Sequence, residues 1–473
     1  MELLARQSSS YVVLVASIAA LGGFLFGFDS SVIANAKDQM SAQFALSDFQ
    51  WAQIVSVSLL GSMVGIPLSG IVSDRVSRKT LLQLVAVGFI LGSLLSALAN
   101  DLPVLYAGRF LIGVCIGIAS YVSPLFIAEI APRKTRGSLI LLNGIAITFG
   151  QAVSFLIGYW LHDVSLSSWR LLLFTGTIPA AFLLVGMCLV PHSPRFLMMR
   201  YGSEKAREVL NKIRGNQREV QTELTEIEQI ASHGYGSIQS LLKPPFCYVL
   251  LLGLSLGIFQ QFSGINAIMY YGPVIFEAAG FHPIKSAILA TSWLGFLNFI
   301  FTIVTLLFAD KVGRRFCMLS GSVVAAFSMF AISLAVNEKW LIVVLLSTFI
   351  IGYCVSVGSL FWVVIAEIYP LKIRGLAMSI ATVLQWAANF VVSISFLSLF
   401  HAFGELKLFW LFGFICLLAA ITTYYFLPET ARASLESIEE NLLAGKKLRE
   451  LGQVITSVKL GDLAVKTSNE TVL

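Results

Sequence analysis

The chain has 473 residues, 57% hydrophobic and only 12% charged, with 32 Lys and Arg against 26 Asp and Glu for a formal net charge of +6. A soluble domain carries about 25% charged residues, and the mean hydropathy here is +0.83. A water-soluble enzyme, a disordered chain and a disulfide scaffold are thereby excluded, and a polytopic membrane protein is the class.

Apolar runs such as 178–191, 246–262 and 340–351 are continuous. They lack the alternation of β-barrel strands, so the spans are helices. In chain order, six are expected near residues 22, 61, 90, 115, 149 and 180. A charge-rich block at 193–244 follows, in which Ser203 to Gln229 reads as short amphipathic helices. Six more spans are centred near 260, 297, 326, 355, 388 and 418, and a polar tail closes the chain. The expected units are a six-helix bundle at 1–192, a helical linker domain at 193–244, a second bundle at 245–430 and a tail at 431–473.

The first span begins near Tyr11 without a small-residue cleavage site and is expected to be retained. Arg75, Arg78 and Lys79 follow the second span; Arg133, Lys134 and Arg136 the fourth; Lys311, Arg314 and Arg315 the eighth; Lys372 and Arg374 the tenth. These loops share one side with both termini and the insert, which the positive-inside rule makes cytoplasmic, as in a multi-pass protein of the cell inner membrane. They account for the basic balance without nucleic acid. Six Cys lie in or beside apolar spans with no Cys-x-x-Cys, as buried hydrophobes rather than metal or redox groups. The sequon Asn469-Glu470-Thr471 falls in the cytoplasmic tail, where it is not glycosylated.

The chain repeats itself. Asp74-Arg75-Val76-Ser77-Arg78-Lys79 returns as Asp310-Lys311-Val312-Gly313-Arg314-Arg315, at an offset of 236. Glu129 with Arg136-Gly137 returns as Glu367 with Arg374-Gly375, at 238. Pro191-His192-Ser193-Pro194-Arg195 returns as Pro428-Glu429-Thr430-Ala431-Arg432, at 237. A duplicated six-span unit follows, with a substrate site at midmembrane between parallel halves that rock to alternate access.

Together with Gly22-Gly23-Phe24-Leu25-Phe26-Gly27-Phe28-Asp29, Gly108-Arg109-Phe110 and Gln260-Gln261-Phe262-Ser263-Gly264-Ile265-Asn266 before Tyr270-Tyr271, these motifs resemble the sugar porter family of the major facilitator superfamily over about residues 11–430. The resemblance implies a twelve-helix transporter of monosaccharide that needs no cofactor, uses the proton as coupling ion, lies among membrane lipid and functions as a monomer. Proton symporters of this family carry the proton on the span-1 Asp, here Asp29, and tune it with the span-4 Arg, here Arg109. Facilitators commonly have a neutral residue at the Asp position. An Asp within a span costs roughly 2.5–3.5 kcal/mol on insertion scales, which independently marks Asp29 as functional. An ordinary helix-end residue is the alternative for each.

A neutral polyol needs groups that both donate and accept, which amides supply. The candidates are Gln151 in span 5, Gln260, Gln261 and Asn266 in span 7, Asn298 in span 8, and Gln385 and Asn389 in span 11. Gln385 and Asn389 share a helix face. Gln261 and Asn266 do not, so Ser263-Gly264 is expected to bend or unwind span 7. Trp362 and Trp386 are stacking candidates, and Phe26, Tyr270 and Tyr271 could close over the sugar; only Trp362 stands out from ordinary packing, because the family places a Trp at this spacing before the span-10 Glu. The family's usual Gly-Pro in span 10 is Gly358-Ser359 here, which is expected to alter that helix's kink. On the cytoplasmic side Arg78, Glu129, Arg136, Arg314, Arg315, Glu367 and Arg374 are expected to form Arg–carboxylate pairs across the seam between halves, as a gate.

Gln261-Phe262-Ser263 resembles the glucose-type version of span 7, which puts D-glucose first, with xylose and galactose behind. An uncoupled facilitator is the nearest rival, and Asp29 argues against it. A sugar sensor would need a longer signalling tail. No Gly-x4-Gly-Lys-Ser/Thr loop suggests a pump, and no clustered acid, base, nucleophile or metal set suggests an enzyme.

Overall fold

The computed structural model of the protein describes residues 2–453 except 74, 133–134, 166, 215, 233–237, 336–337, 371–372, 405–406 and 432. Asp74, Arg133, Lys134, Lys372, Arg432 and the 469–471 sequon therefore lie outside the described residues. All regular structure among the described residues is helical. The first six spans are built from α1 (Glu2–Val32), which continues through a 3₁₀ turn at Ile33–Ala36 into α2 (Lys37–Phe44), α3 (Asp48–Ser73), α4 (Arg78–Ala97), α5 (Leu102–Ile130), α6 (Arg136–Leu161), and α7 (Ser168–Thr175) with α8 (Thr177–Leu189). The insert holds α9 (Pro194–Tyr201), α10 (Ser203–Ile213), α11 (Gln217–Ser232) and α12 (Ile238–Leu241). The second set comprises α13 (Phe246–Phe262) with α14 (Ile265–Ala278), α15 (Ile284–Val312), α16 (Arg314–Ile332), α17 (Lys339–Tyr353) with α18 (Ser359–Ile368), α19 (Arg374–Phe403) and α20 (Leu408–Phe426). The short α21 (Leu435–Leu443) packs on α18. Twelve of these segments are long and apolar enough to cross a membrane, and each expected span centre falls inside one.

The halves meet along two seams, α3 against α19 and α6 against α15. Among the described residues the continuous apolar runs satisfy their backbone polar groups within helices. We call the side carrying α9–α12 the linker face and the opposite side the rim face. Towards the rim, α14 also meets the 3₁₀ turn and α1, whereas α5 and α18 pack extensively only within their own halves.

Small residues decide how closely α1 approaches α6. A methyl on Gly27 would strike the Ile147 carbonyl, and one on Gly150 would strike that of Phe24. The glycine motif of span 1 is thus a packing surface that sets the depth of Phe26 and Asp29. Two spans are broken where function is expected. In span 7 the break falls at Ser263-Gly264, with Gly264 at φ +93°, as the separation of Gln261 from Asn266 required. In span 10 a π-helical stretch, Cys354–Gly358, separates α17 from α18, with Ser356 at φ −106° and ψ −122°. Ser359 in place of proline has not removed this break. Gln260 Nε2 donates to the carbonyls of Val357 (3.1 Å) and Gly358 (3.2 Å), satisfying acceptors that the interrupted ladder releases.

The repeat persists in the hydrogen bonds of the linker face, with one divergence. Ser193 donates to Glu129, and Thr430 donates to Glu367. At the start of α16, Gly313 has φ +105°, and Glu429 accepts from the backbone N–H of Arg314 (3.0 Å) and Arg315 (3.2 Å). At the start of α4, Ser77 caps the helix itself, accepting from Thr80 N–H at 3.1 Å, and His192 lies 3.0 Å from the Ser77 hydroxyl. Burial, and secondarily Lys79, pushes His192 down, so its ring is neutral at pH 7. The two helix N-termini are satisfied by different chemistries.

Candidate functional site

Asp29 sits on the last full turn of α1 and is 3% exposed; Arg109, on the second turn of α5, is 1% exposed. Arg109 Nη1 donates to Asp29 Oδ1, and Arg109 Nη2 donates to Ser58 Oγ on α3 at 3.2 Å. Neither is an ordinary helix-end residue, since both charges are buried and paired. Two ions of opposite sign are tolerated in such a place only with close partners, and removing either leaves the other uncompensated. The close approach of α3 to α5 allows this, because Gly113 lies against the Ser58 carbonyl and Ser62 Oγ donates to the Gly113 carbonyl at 2.9 Å.

A small pocket joins this pair to the aromatic residues. Asp29, Arg109 and Ser58 line it together with Phe26, Tyr270 and Trp386. Phe26 and Trp386 meet across the halves with ring centroids 5.0 Å apart. Trp362 is different. The residue is 39% exposed, and its ring partner is the adjacent Phe361, edge-on at 5.0 Å.

Six of the seven amides form three pairs, and Asn389 bonds apart from them. Gln385 Nε2 donates to Gln260 Oε1 at 2.8 Å, which ties α19 to α13 beside the broken span 10. Asn266 Nδ2 donates to Gln261 Oε1 at 2.6 Å across the break in span 7. Asn298 Nδ2 donates to Gln151 Oε1 at 2.8 Å across the α6–α15 seam, and Cys354 Sγ lies 3.0 Å from Asn298 Oδ1. Asn389 donates to the Tyr270 hydroxyl at 3.3 Å and accepts from Ser393, while Tyr271 donates to the Ser393 carbonyl. Gln385 Oε1 is buried without a protein hydrogen bond, an acceptor left over for a hydroxyl.

The charge network requires a correction. Arg–carboxylate pairs were expected across the seam, but the two described pairs each lie within one half. Arg78 Nε is 3.2 Å from Glu129 Oε1, and Arg314 Nη2 is 3.0 Å from Glu367 Oε1. The reason is connectivity, since α4 and α5, like α16 and α18, belong to one half. Arg315 turns away to donate to the Tyr424 carbonyl at 2.7 Å, and Arg374 donates to the Tyr369 carbonyl at 3.0 Å. Arg136 opens α6 on the same face. Ser58 and Cys354 were not foreseen. A lone serine or cysteine in an apolar span carries no sequence signal of what it faces.

The sequence profile of the sugar (and other) transporter family matches residues 15–442. The galactose-proton symporter of Escherichia coli strain K12 is 34% identical over 460 residues, covering 94% of this chain and 98% of that protein. The glucose transporter GlcP of Staphylococcus epidermidis is 34% identical over 443 residues, covering 92% and 98%. The inward open conformation of the xylose transporter XylE from E. coli superposes with a TM-score of 0.79 at 30% identity, covering 91% of this chain and all of that one.

Proposed function

The chain belongs to the sugar transporter family, and from that premise we propose that it is a proton-coupled monosaccharide symporter with D-glucose as first substrate and xylose or galactose behind. One observation carries the coupling. A buried carboxylate bound to a buried guanidinium shares a pocket with residues of both halves. Deprotonated Asp29 is held by Arg109 within the first half, and protonation neutralises it and releases α1, whose Phe26 meets Trp386 of the second half, so that the halves rock with sugar bound. The amide groups offer paired donors and acceptors to hydroxyls, and Phe26 with Trp386 offers an apolar surface.

The linker face, which carries the basic loops and the insert, is assigned to the cytoplasm, with both termini on that side. Uptake of a sugar panel into proteoliposomes, with and without an imposed pH gradient, tests the reading. D-glucose uptake is expected to exceed equilibrium when protons run inward. Uptake indifferent to the gradient would make the protein a facilitator.

The gate reading is adjusted to what lies on the linker face. Glu129 and Glu367, internally paired here, would exchange partners across the seam when that face closes. Glu367→Gln is then expected to raise the share of molecules open on the linker face, read by labelling of cysteines placed there. Unchanged labelling would overturn the gate.

A further inference from the structure

Among the described residues, one ion pair, Lys285 with Asp163, and one histidine–carboxylate contact, His401 with Asp48, join the halves on the rim face, and the internal repeat relates them. Lys285, opening α15, places Nζ 2.6 Å from Oδ2 of Asp163, which follows α6. His401, ending α19, places Nε2 3.1 Å from Oδ2 of Asp48, which opens α3. One pair therefore bridges each seam. Position 48 corresponds to 285 at an offset of 237, and 163 to 401 at 238, the same register as the linker-face motifs. The first half is acidic at both positions, and the second half offers a cationic or protonatable group at both.

The Asp163–Lys285 pair is further supported. Lys285 Nζ also stands 5.0 Å from the centroid of the Tyr159 ring on α6, so both its partners come from the first half. His162 Nδ1 lies 2.8 Å from Asp163 Oδ1 and Nε2 lies 3.4 Å from Asp38 Oδ2. Hydrogen bonds from His162 and then Lys285 hold the Asp163 carboxyl below the usual carboxylate range. Asp163 is thus ionised throughout the neutral range.

We propose that these pairs are two electrostatic latches, one per seam, that hold the rim face closed. From the transport reading the proposal takes only that the rim opens and closes. The groups are largely exposed, with Asp163 at 60% and Asp48 at 54%, so each latch is weak. Exposed pairs of this kind shift an equilibrium by about 1.5- to 5-fold. A weak latch suits a face that must reopen in every cycle, and charge segregation makes both latches act in the same direction.

The test is a distance distribution between spin labels on the rim ends of α3 and α15 in the full-length protein, which requires neither sugar nor a proton gradient. Lys285→Asp, which sets two carboxylates face to face, is expected to raise the rim-open to rim-closed ratio about twofold to tenfold. Asp163→Lys is expected to do the same. The double exchange, Asp163→Lys with Lys285→Asp, is expected to restore the closed population. At the other seam, His401→Asp is expected to open the rim and His401→Lys to close it further. A ratio unmoved by the single reversals, or not restored by the double exchange, overturns the latch. Because transport is not the readout, a failed latch leaves the symporter reading untouched, and a failed pH-gradient experiment leaves the latch untouched.

Discussion

Replacing Asp29 with Asn is expected to abolish accumulation of sugar against a gradient while sugar exchange continues. Asn keeps the shape and a carbonyl that Arg109 can still donate to, but it has no titrating proton. At one proton per sugar, each pH unit supplies 1.36 kcal/mol, or about tenfold accumulation; in the variant that ratio should fall to about one. Arg109 would then be a buried cation without its counter-charge, at a cost of several kcal/mol. Counterflow of labelled sugar in the same vesicles corrects for the folded fraction. Full uphill uptake by the variant would remove Asp29 from the coupling mechanism.

Gln260→Leu is expected to weaken sugar affinity by roughly tenfold to a hundredfold, corresponding to about 1–3 kcal/mol for buried polar groups left unsatisfied. The side chain performs three tasks at once. It donates to the released carbonyls of Val357 and Gly358 and accepts from Gln385. Leucine fills a similar volume and performs none of them, so the break in span 10 loses its support and Gln385 loses its orientation. Sugar binding measured by tryptophan fluorescence, with Trp386 next to Phe26, reads the change. An unaltered dissociation constant would separate Gln260 from the sugar site.

Much of this arrangement was legible in the sequence because the signals were local. Apolar runs marked the spans, and the phase mismatch between Gln261 and Asn266 marked the break at Gly264. The link between Asp29 and Arg109 was implied by the family resemblance, and the cost of an Asp within a span marked Asp29 independently. What escaped depends on which helices become neighbours. The Arg–Glu pairs were expected across the seam and lie within one half, because loop charges alone do not tell a seam from a turn within one half. Span 10 is broken with Ser359 in the place of the family's usual proline, and Gln260 of another helix donates to the carbonyls at that break, a contact no local signal in span 10 announces. The rim pairs join exposed charges that carry no motif of their own. Only the offset that aligns 48 with 285 and 163 with 401 distinguishes them, and the linker-face motifs already contained that offset.

The unlike helix starts at α4 and α16 bear on how the two halves can change. Gly313 is compatible with a carboxylate from residue 429 because it lacks a side chain; a methyl there would press into Glu429. Ser77 occupies the matching place with its own hydroxyl, and residue 192 beside it is a histidine rather than a carboxylate. Each residue makes sense only with its companion. Carrying serine alone into the second copy, or glutamate alone into the first, brings in half of a matched set. The two repeats are therefore epistatically locked at this corner, and residues there interchange between copies in couples rather than one at a time.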